Sequence, residues 1–234
     1  MHKQLSDKVK FVMPSSRELQ FPAMAVVQAY VEDYEKKVYF TGMEKLGYKI
    51  NFEYCLAMAP ADLQMFLDVG IVLRQPPSAI FKDSDAEVDF TESRLAHFNW
   101  REDHHVAQVY GALIGVESTV MPEIRKITPG EQWVCVKDVP GFPHLPRIDG
   151  DTLVRAQDGQ IGGIIGRAGW ETYLACAQGL PVIEIKPPGR PANALSKWSH
   201  KQYRMVDGEG NVVSQVQRAL LDLKVLLQSE VVDK

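Results

Sequence analysis

The chain reads as an α/β protein in two halves, each built on parallel strands joined by crossover helices. Three observations point there. The order strand, helix, strand recurs, once before residue 42 and again over residues 161–185, and parallel neighbours need such a crossover. Apolar positions switch repeatedly between a spacing of two and the stripe of a helix. At 234 residues, with 45% hydrophobic and 24% charged side chains, there is material for one large domain or two small ones.

Taken in order, Lys8-Val9-Lys10-Phe11-Val12-Met13 alternates polar and apolar and is stopped by Pro14-Ser15-Ser16, the pattern of a strand entering a loop. Pro22 suits a first helical turn, and Met24, Val27, Val31 and Tyr34 then form an apolar stripe that ends near Lys37. The run from Lys37 to Gly42 reads as the second strand of the unit, closed by glycine. Ile50 to Cys55 predicts a further strand, Ala61 to Val69 a helix, and Gln75-Pro76-Pro77-Ser78 a break. Glu87 to Thr91 predicts a strand whose end carries acids. Arg101 to Ile114 predicts a helix with Val106, Val109, Tyr110 and Leu113 on one face and Gly115 as its stop. The boundary between halves falls near Glu117-Ser118, giving residues 1–118 and 119–234.

In the second half Gln132 to Val136 alternates after the turn signal Pro129-Gly130, and a Pro- and Gly-rich stretch runs from Pro140 to Gly150. Ile161 to Ile165 is the central-strand candidate. The helix that follows carries Trp170, Tyr173, Leu174 and Ala177 on one face, with Gly179 past its end and Pro181 beyond. Pro181 to Ile185 is the next strand, and Val213 to Leu227 closes the chain as a long amphipathic helix. Both halves are therefore Rossmann-like, with a cleft expected between them at the C-terminal ends of the strands.

Composition narrows the function classes. Lys and Arg number 26 against 30 Asp and Glu, a net charge of −4, which argues against a protein that coats nucleic acid. Cys55, Cys135 and Cys176 are odd in number and lie among apolar neighbours, so they read as small buried hydrophobes rather than a disulfide framework or metal site. No apolar run reaches the ~18 residues of a membrane span, and the start carries no secretory signal, so the expected location is cytoplasmic. Charge is unevenly placed: Asp83, Asp85, Glu87, Asp89 and Glu92 cluster in the first half. Lys186, Arg190, Lys197, Lys201 and Arg204 cluster in the second with no acid between them. The acidic run reads as a solvated face.

The turn after the Ile161–Ile165 strand is Gly166-Arg167-Ala168-Gly169-Trp170-Glu171-Thr172. Its glycines let backbone approach a ligand, the helix start offers N–H groups and positive potential to an anion, and Arg167 adds a guanidinium. Glycines at such turns are also common for steric reasons alone, and the G-x-G-x-x-G spacing is not satisfied.

That turn, followed by Gly179-Leu180-Pro181-Val182-Ile183-Glu184-Ile185 and by Pro188-Gly189-Arg190-Pro191-Ala192-Asn193-Ala194, resembles the donor-binding region of GT-B glycosyltransferases. The closest pattern is that of the peptidoglycan N-acetylglucosaminyltransferase. Phe11 to Pro22 and His105 to Gly115 look instead like the heptosyltransferase family. The resemblance covers about half of the chain. It implies transfer of a sugar from a nucleotide-sugar donor to an acceptor hydroxyl, with no cofactor and no metal. Carried onto this sequence, Arg167, Ala168, Gly169, Trp170, Lys186 and Arg190 would meet the donor diphosphate, and Gly166, Glu171, Thr172 and Asn193 the nucleotide or sugar. The sequence also departs from these patterns. Ala175 stands where the N-acetylglucosaminyltransferase has a ribose-holding acid, and Arg17-Glu18 and Arg167-Ala168-Gly169 stand where heptosyltransferases have Gly-Asp and Asp-Thr-Gly.

An acceptor hydroxyl must lose a proton as it attacks, and Glu18, in the loop after the first strand, is the candidate base. Asp89 and Glu92 end a strand of the same half. His104-His105 reads as a surface pair, because adjacent helical residues point apart, and His144 as a loop histidine. Trp198 and Tyr203 within the basic run leave open a polymeric acceptor: a glycan, a lipid-linked glycan or a nucleic acid. A non-catalytic binder of nucleotide sugars and a nucleic-acid-contacting module using 186–204 are the rival readings.

Overall fold

The computed structural model describes residues 4–40, 49–78, 84–93, 105–117, 121–137, 139, 141–187 and 202–232. The chain divides into two compact units, one comprising Met1–Leu67 with Ile71–Glu123, the other Asp68–Gly70 with Ile124–Lys234.

In the first unit β1 (Gln4–Val12) leads into α1 (Arg17–Phe40), then β2 (Lys49–Ala57), α2 (Pro60–Asp68), β3 (Ala86–Asp89) and α3 (Val106–Ile114). The strands form a parallel sheet in the order β2-β1-β3, with Phe11 level with Leu56 on one side and Val88 on the other. The core is aromatic. Phe11 is fully buried, edge-on to Tyr30 and Tyr54 and stacked on Phe90, while Phe21 meets Phe66 and Phe90 meets Tyr110.

Of the strand expected at Lys37–Gly42, Lys37 to Phe40 form the last part of α1 while Thr41 and Gly42 lie outside the described residues, and the partner of β1 is β2. No breaker separates the Met24–Tyr34 stripe from Val38-Tyr39-Phe40, so the helix continues, and its length supplies the crossover that a parallel pair needs. Pro22 is not in the first turn, since α1 begins at Arg17. Lacking an N–H, Pro22 leaves the Glu18 carbonyl without its usual helical donor. His105 is a second correction: it is buried rather than on the surface, and its Nδ1 accepts the Ala107 N–H as the N-cap of α3. His104 lies outside the described residues. Gly115 ends α3 at φ 71°, in the left-handed conformation expected of a helix stop.

The second unit holds β4 (Trp133–Val136), β5 (Arg147–Ile148), α4 (Gly150–Val154), β6 (Gly163–Arg167), α5 (Trp170–Gln178), β7 (Val182–Lys186), β8 (Tyr203–Asp207) and α6 (Val212–Val232). All five strands are parallel, in the order β5-β4-β6-β7-β8. The two-residue β5, the short α4 and β8 carry too few residues, or too mixed a pattern, to stand out in the sequence. Here the core is aliphatic. Ile165, Ile183 and Val206 pack with Val216, Ala219 and Leu223 of α6. Strand alternation places Gly166 and Glu184 on the opposite face, against α5, where a Cβ on Gly166 would lie 3.4 Å from the Thr172 methyl. Cys55, Cys135 and Cys176 are free thiols and buried, and burial pushes the Cys135 and Cys176 thiols up. No helix among the described residues is long and apolar enough to cross a membrane.

Candidate functional site

Both sheets contain a point where the chain's connections depart in opposite directions, and such points are where open parallel sheets bind ligands. In the second unit it lies between β4 and β6, because β5 lies on the far side of β4 and the chain then returns to place β6, β7 and β8 on the other side. Val136 and Gly166 are register partners there, so Lys137, just past β4, stands level with Arg167, the last residue of β6.

Lys137 is the cation that sequence reasoning missed. It adopts φ 64°, the one positive-φ side-chain-bearing residue among the described positions. Strand alternation would put it on the Cys135 face. The left-handed turn redirects it instead, and its ammonium lies 3.1 Å from Glu171 Oε2 in the first turn of α5. The pair spans Gly169, where a Cβ would come 2.5 Å from Lys137 Nζ and 2.8 Å from Glu171 Oε2. A side chain at 169 would therefore have to displace the ends of these two flexible side chains rather than any backbone. Glu171 Oε2 is buried with this ion pair but no hydrogen bond in line with it. The signal that could have found Lys137 was the one used for Arg167: a cation directly after a predicted strand.

The remaining expected donor residues divide by exposure. Arg167 ends β6 and is exposed, with no ion pair among the described residues. Lys186 ends β7, half-buried and level with Asp207 of β8. Gly166 is buried against α5. Ala168 is half-buried, and the Trp170 ring packs on Gly150, where a Cβ would fall 2.1 Å from its Cζ2. Thr172 is fully buried with its hydroxyl turned inward, 2.7 Å from the Gly169 carbonyl. The Gly169 N–H points back at the same hydroxyl from 3.4 Å. Arg190 and Asn193 lie outside the described residues. The structure therefore gathers Lys137, Arg167, Gly169 and Glu171 at one corner, with Lys186 ending the next strand, and turns Thr172 to the support beneath.

The first unit has the same layout at β1 and β3, with different chemistry. Glu92 Oε1 accepts from Ser15 Oγ and from the Ser16 N–H, both at 2.9 Å. Partial burial pushes its carboxyl up, but the hydrogen bonds from Ser16 and Ser15 outweigh this and hold it below the usual carboxylate range. Asp89 Oδ1 accepts the Thr91 N–H. Arg17 Nε donates to Asp62 Oδ1 at 2.8 Å, and Gln20 Nε2 bridges Asp62 Oδ2 and the Pro14 carbonyl. Glu18 is exposed in the first turn of α1. His144, in the second unit, is exposed beside the Phe142 ring. No group of three His, Cys, Asp or Glu able to hold a metal occurs among the described residues.

No protein-family model matches the chain. No curated protein matches it either. Among solved structures, E. coli heptosyltransferase WaaC with ADP aligns over 92% of this chain and 99% of that chain, at 12% identity and a TM-score of 0.49. The E. coli heptosyltransferase WaaC with ADP-2-deoxy-2-fluoro heptose aligns over 95% and 99%, at 11% identity and a TM-score of 0.47. Both are similar to this chain in being mixed α/β with parallel sheets.

Proposed function

We propose that the chain is a glycosyltransferase whose second unit grips the diphosphate of a nucleotide-sugar donor without a metal ion. One observation carries the reading. Lys137, Arg167 and Lys186 end or directly follow three adjacent parallel strands, at the switch between β4 and β6 and beside the N-terminus of α5. Negative charge that grows on a departing diphosphate is stabilised by fixed cations and helix-start dipoles, the role a divalent metal fills elsewhere. Arg190 and Asn193 belong to the same proposed donor set through the motif resemblance.

In the proposed reaction the acceptor oxygen bonds to the sugar's anomeric carbon as the bond to the diphosphate breaks. The acceptor proton passes to a carboxylate, for which Glu18 is the proposed group. The acceptor class is a glycan, a lipid-linked glycan or a nucleic acid. The test is release of diphosphate from a panel of nucleotide sugars with acceptors of each class. Arg167→Ala should weaken ADP or UDP binding, and unchanged affinity removes it from the site. Glu18→Gln should lower turnover while leaving nucleotide affinity intact; an unaffected rate assigns the base elsewhere.

A non-catalytic nucleotide-sugar binder is the second reading, favoured by Ala175. That position is fully buried in α5, so no side chain there reaches a ribose. Stabilisation by ADP or UDP with no turnover on any acceptor selects this reading.

A further inference from the structure

β8 is the last strand of the second unit's sheet, and no described strand lies beyond it. Its backbone groups alternate in direction. The Gln202 carbonyl accepts the Val182 N–H, so Gln202, Arg204 and Val206 turn their backbone groups towards β7, while Tyr203, Met205 and Asp207 turn theirs out of the sheet. Side chains close two of the outward positions. Arg204 Nη1 donates to the Tyr203 carbonyl at 2.8 Å, and Gln215 Oε1 accepts the Asp207 N–H at 3.0 Å. Between them the N–H and C=O of Met205 meet no hydrogen-bond partner among the described residues, and the Met205 side chain is 42% exposed. Edge strands are usually blunted at such a point by a charge or a proline, and this one carries an apolar side chain. A groove of about 420 Å³ runs along the edge, walled on one side by Asn211, Gln215, Arg218 and Asp222 of the α6 region. Arg218 and Asp222 are exposed, and neither has an ion pair among the described residues.

We propose that the β8 edge is the contact surface for a second copy of this chain, the two edges pairing antiparallel about a two-fold axis through Met205. Such an axis stands perpendicular to the sheet. Each Met205 then donates its N–H to the carbonyl of the partner's Met205 and accepts one in return, and the two five-stranded sheets become continuous. The same rotation lays α6 antiparallel beside the partner's α6, on the same face of the joined sheet. Within one chain α6 runs back along β8, starting with Gln215 at the level of Asp207. At ~3.3 Å per strand residue and ~1.5 Å per helix residue, the step from Asp207 to Met205 matches about four helical residues, so the axis passes α6 near residues 219 and 220. Arg218 and Asp222 lie on either side of that point. The two-fold therefore sets Arg218 opposite the partner's Asp222, and Asp222 opposite the partner's Arg218. This complementarity is what selects a second copy as the occupant: one chain presents both signs in the order that its own antiparallel copy requires. The surface belongs to the second unit alone and is independent of the nucleotide reading. Because the paired strands run in opposite directions, the two corners that carry Lys137 and Arg167 open at opposite ends of the joined sheet.

Sedimentation velocity on the full chain tests this. Wild type should be dimeric at ~100 μM and dissociate on dilution. Arg218→Asp and Asp222→Arg are changes at exposed positions that leave the fold intact. Each sets like charges across the axis, and each alone should raise the dissociation constant about tenfold or more. Mixed in equal amounts, the two variants should recover the wild-type dimer, because each supplies the sign that the other lacks. Met205→Pro removes the outward N–H without removing a bond to β7, and should also be monomeric. A wild type that is monomeric at ~100 μM overturns the proposal. So does a dimer that both charge variants, or Met205→Pro, form as tightly as wild type, since the contact then lies elsewhere. A mixture of the charge variants no more dimeric than its components overturns the two-fold pairing of Arg218 with Asp222, and the proposal with it.

Discussion

The two units share a plan and differ in what stands at the ends of their strands. Each has a parallel sheet whose first strand is flanked by its successors, β2-β1-β3 in one and β5-β4-β6 in the other. At that point the first unit places Glu92, Asp89, Asp62 and Glu18, with Arg17 tied to Asp62. The second unit places Lys137, Arg167 and Lys186. A common topology makes a corner; the side chains at and just beyond the strand ends give it its charge, acidic in the first unit and basic in the second. The cores differ too, aromatic in the first unit and aliphatic in the second.

The largest test of this contrast is in the cores. Phe11→Ala removes a ring that contacts Tyr30, Tyr54 and Phe90, and should cost ~3–5 kcal/mol, with loss of near-UV circular dichroism. Ile165→Val, equally buried at the centre of the other sheet, should cost ~0.5–1.5 kcal/mol and leave that spectrum intact. Equal costs in urea unfolding would mean that the aromatic cluster has no special weight.

Next comes the charge contrast. Lys137→Ala removes a cation from the proposed anion corner and leaves buried Glu171 without its ion pair, so ADP affinity should drop about tenfold. Arg17→Ala, the matching change in the first unit, should leave ADP affinity unchanged, because the proposed anion corner belongs to the second unit. If Arg17→Ala weakens ADP as much as Lys137→Ala does, the two corners do not differ in the way described.

What the sequence reveals about these corners follows from the range of the interactions involved. Stops such as Gly115 and Gly179 are local, fixed by left-handed backbone at one residue, and were readable. So was the turn at Gly166–Thr172. The pairing of β1 with β2 across α1 is not local, and a three-residue apolar run, Val38-Tyr39-Phe40, at the end of that helix imitated a strand. Lys137 escaped because its role depends on a left-handed turn that no glycine announces. Thr172, expected as a ligand contact from its place in the turn, is buried, with its hydroxyl against the Gly169 carbonyl and Glu184, twelve residues on. His105 was hidden likewise, since a capping role depends on where the helix begins.

The smallest expected effect concerns acid. Glu92 is held below its ordinary value in the folded protein, so the folded state binds its proton less tightly than the unfolded chain does. Its contribution is therefore complete above the unfolded value of ~4.3 and is lost as pH falls through the lower folded value. Glu92→Gln should melt less steeply with falling pH below about 4.3 than wild type, and at neutral pH should be the less stable of the two, since a neutral amide accepts more weakly from Ser15 and Ser16. Asp149, the N-cap of α4 in the second unit, shifts in the same sense because the Thr152 hydroxyl and N–H donate to it. It is exposed, so solvent weakens the effect, and Asp149→Asn should change the acid limb less than Glu92→Gln does. The order matters: Glu92 closes the loop between β1 and α1, while Asp149 caps a five-residue helix at the surface. Equal slopes for the two variants would show that the Ser15–Glu92 contacts hold that loop no better than an exposed cap holds its helix.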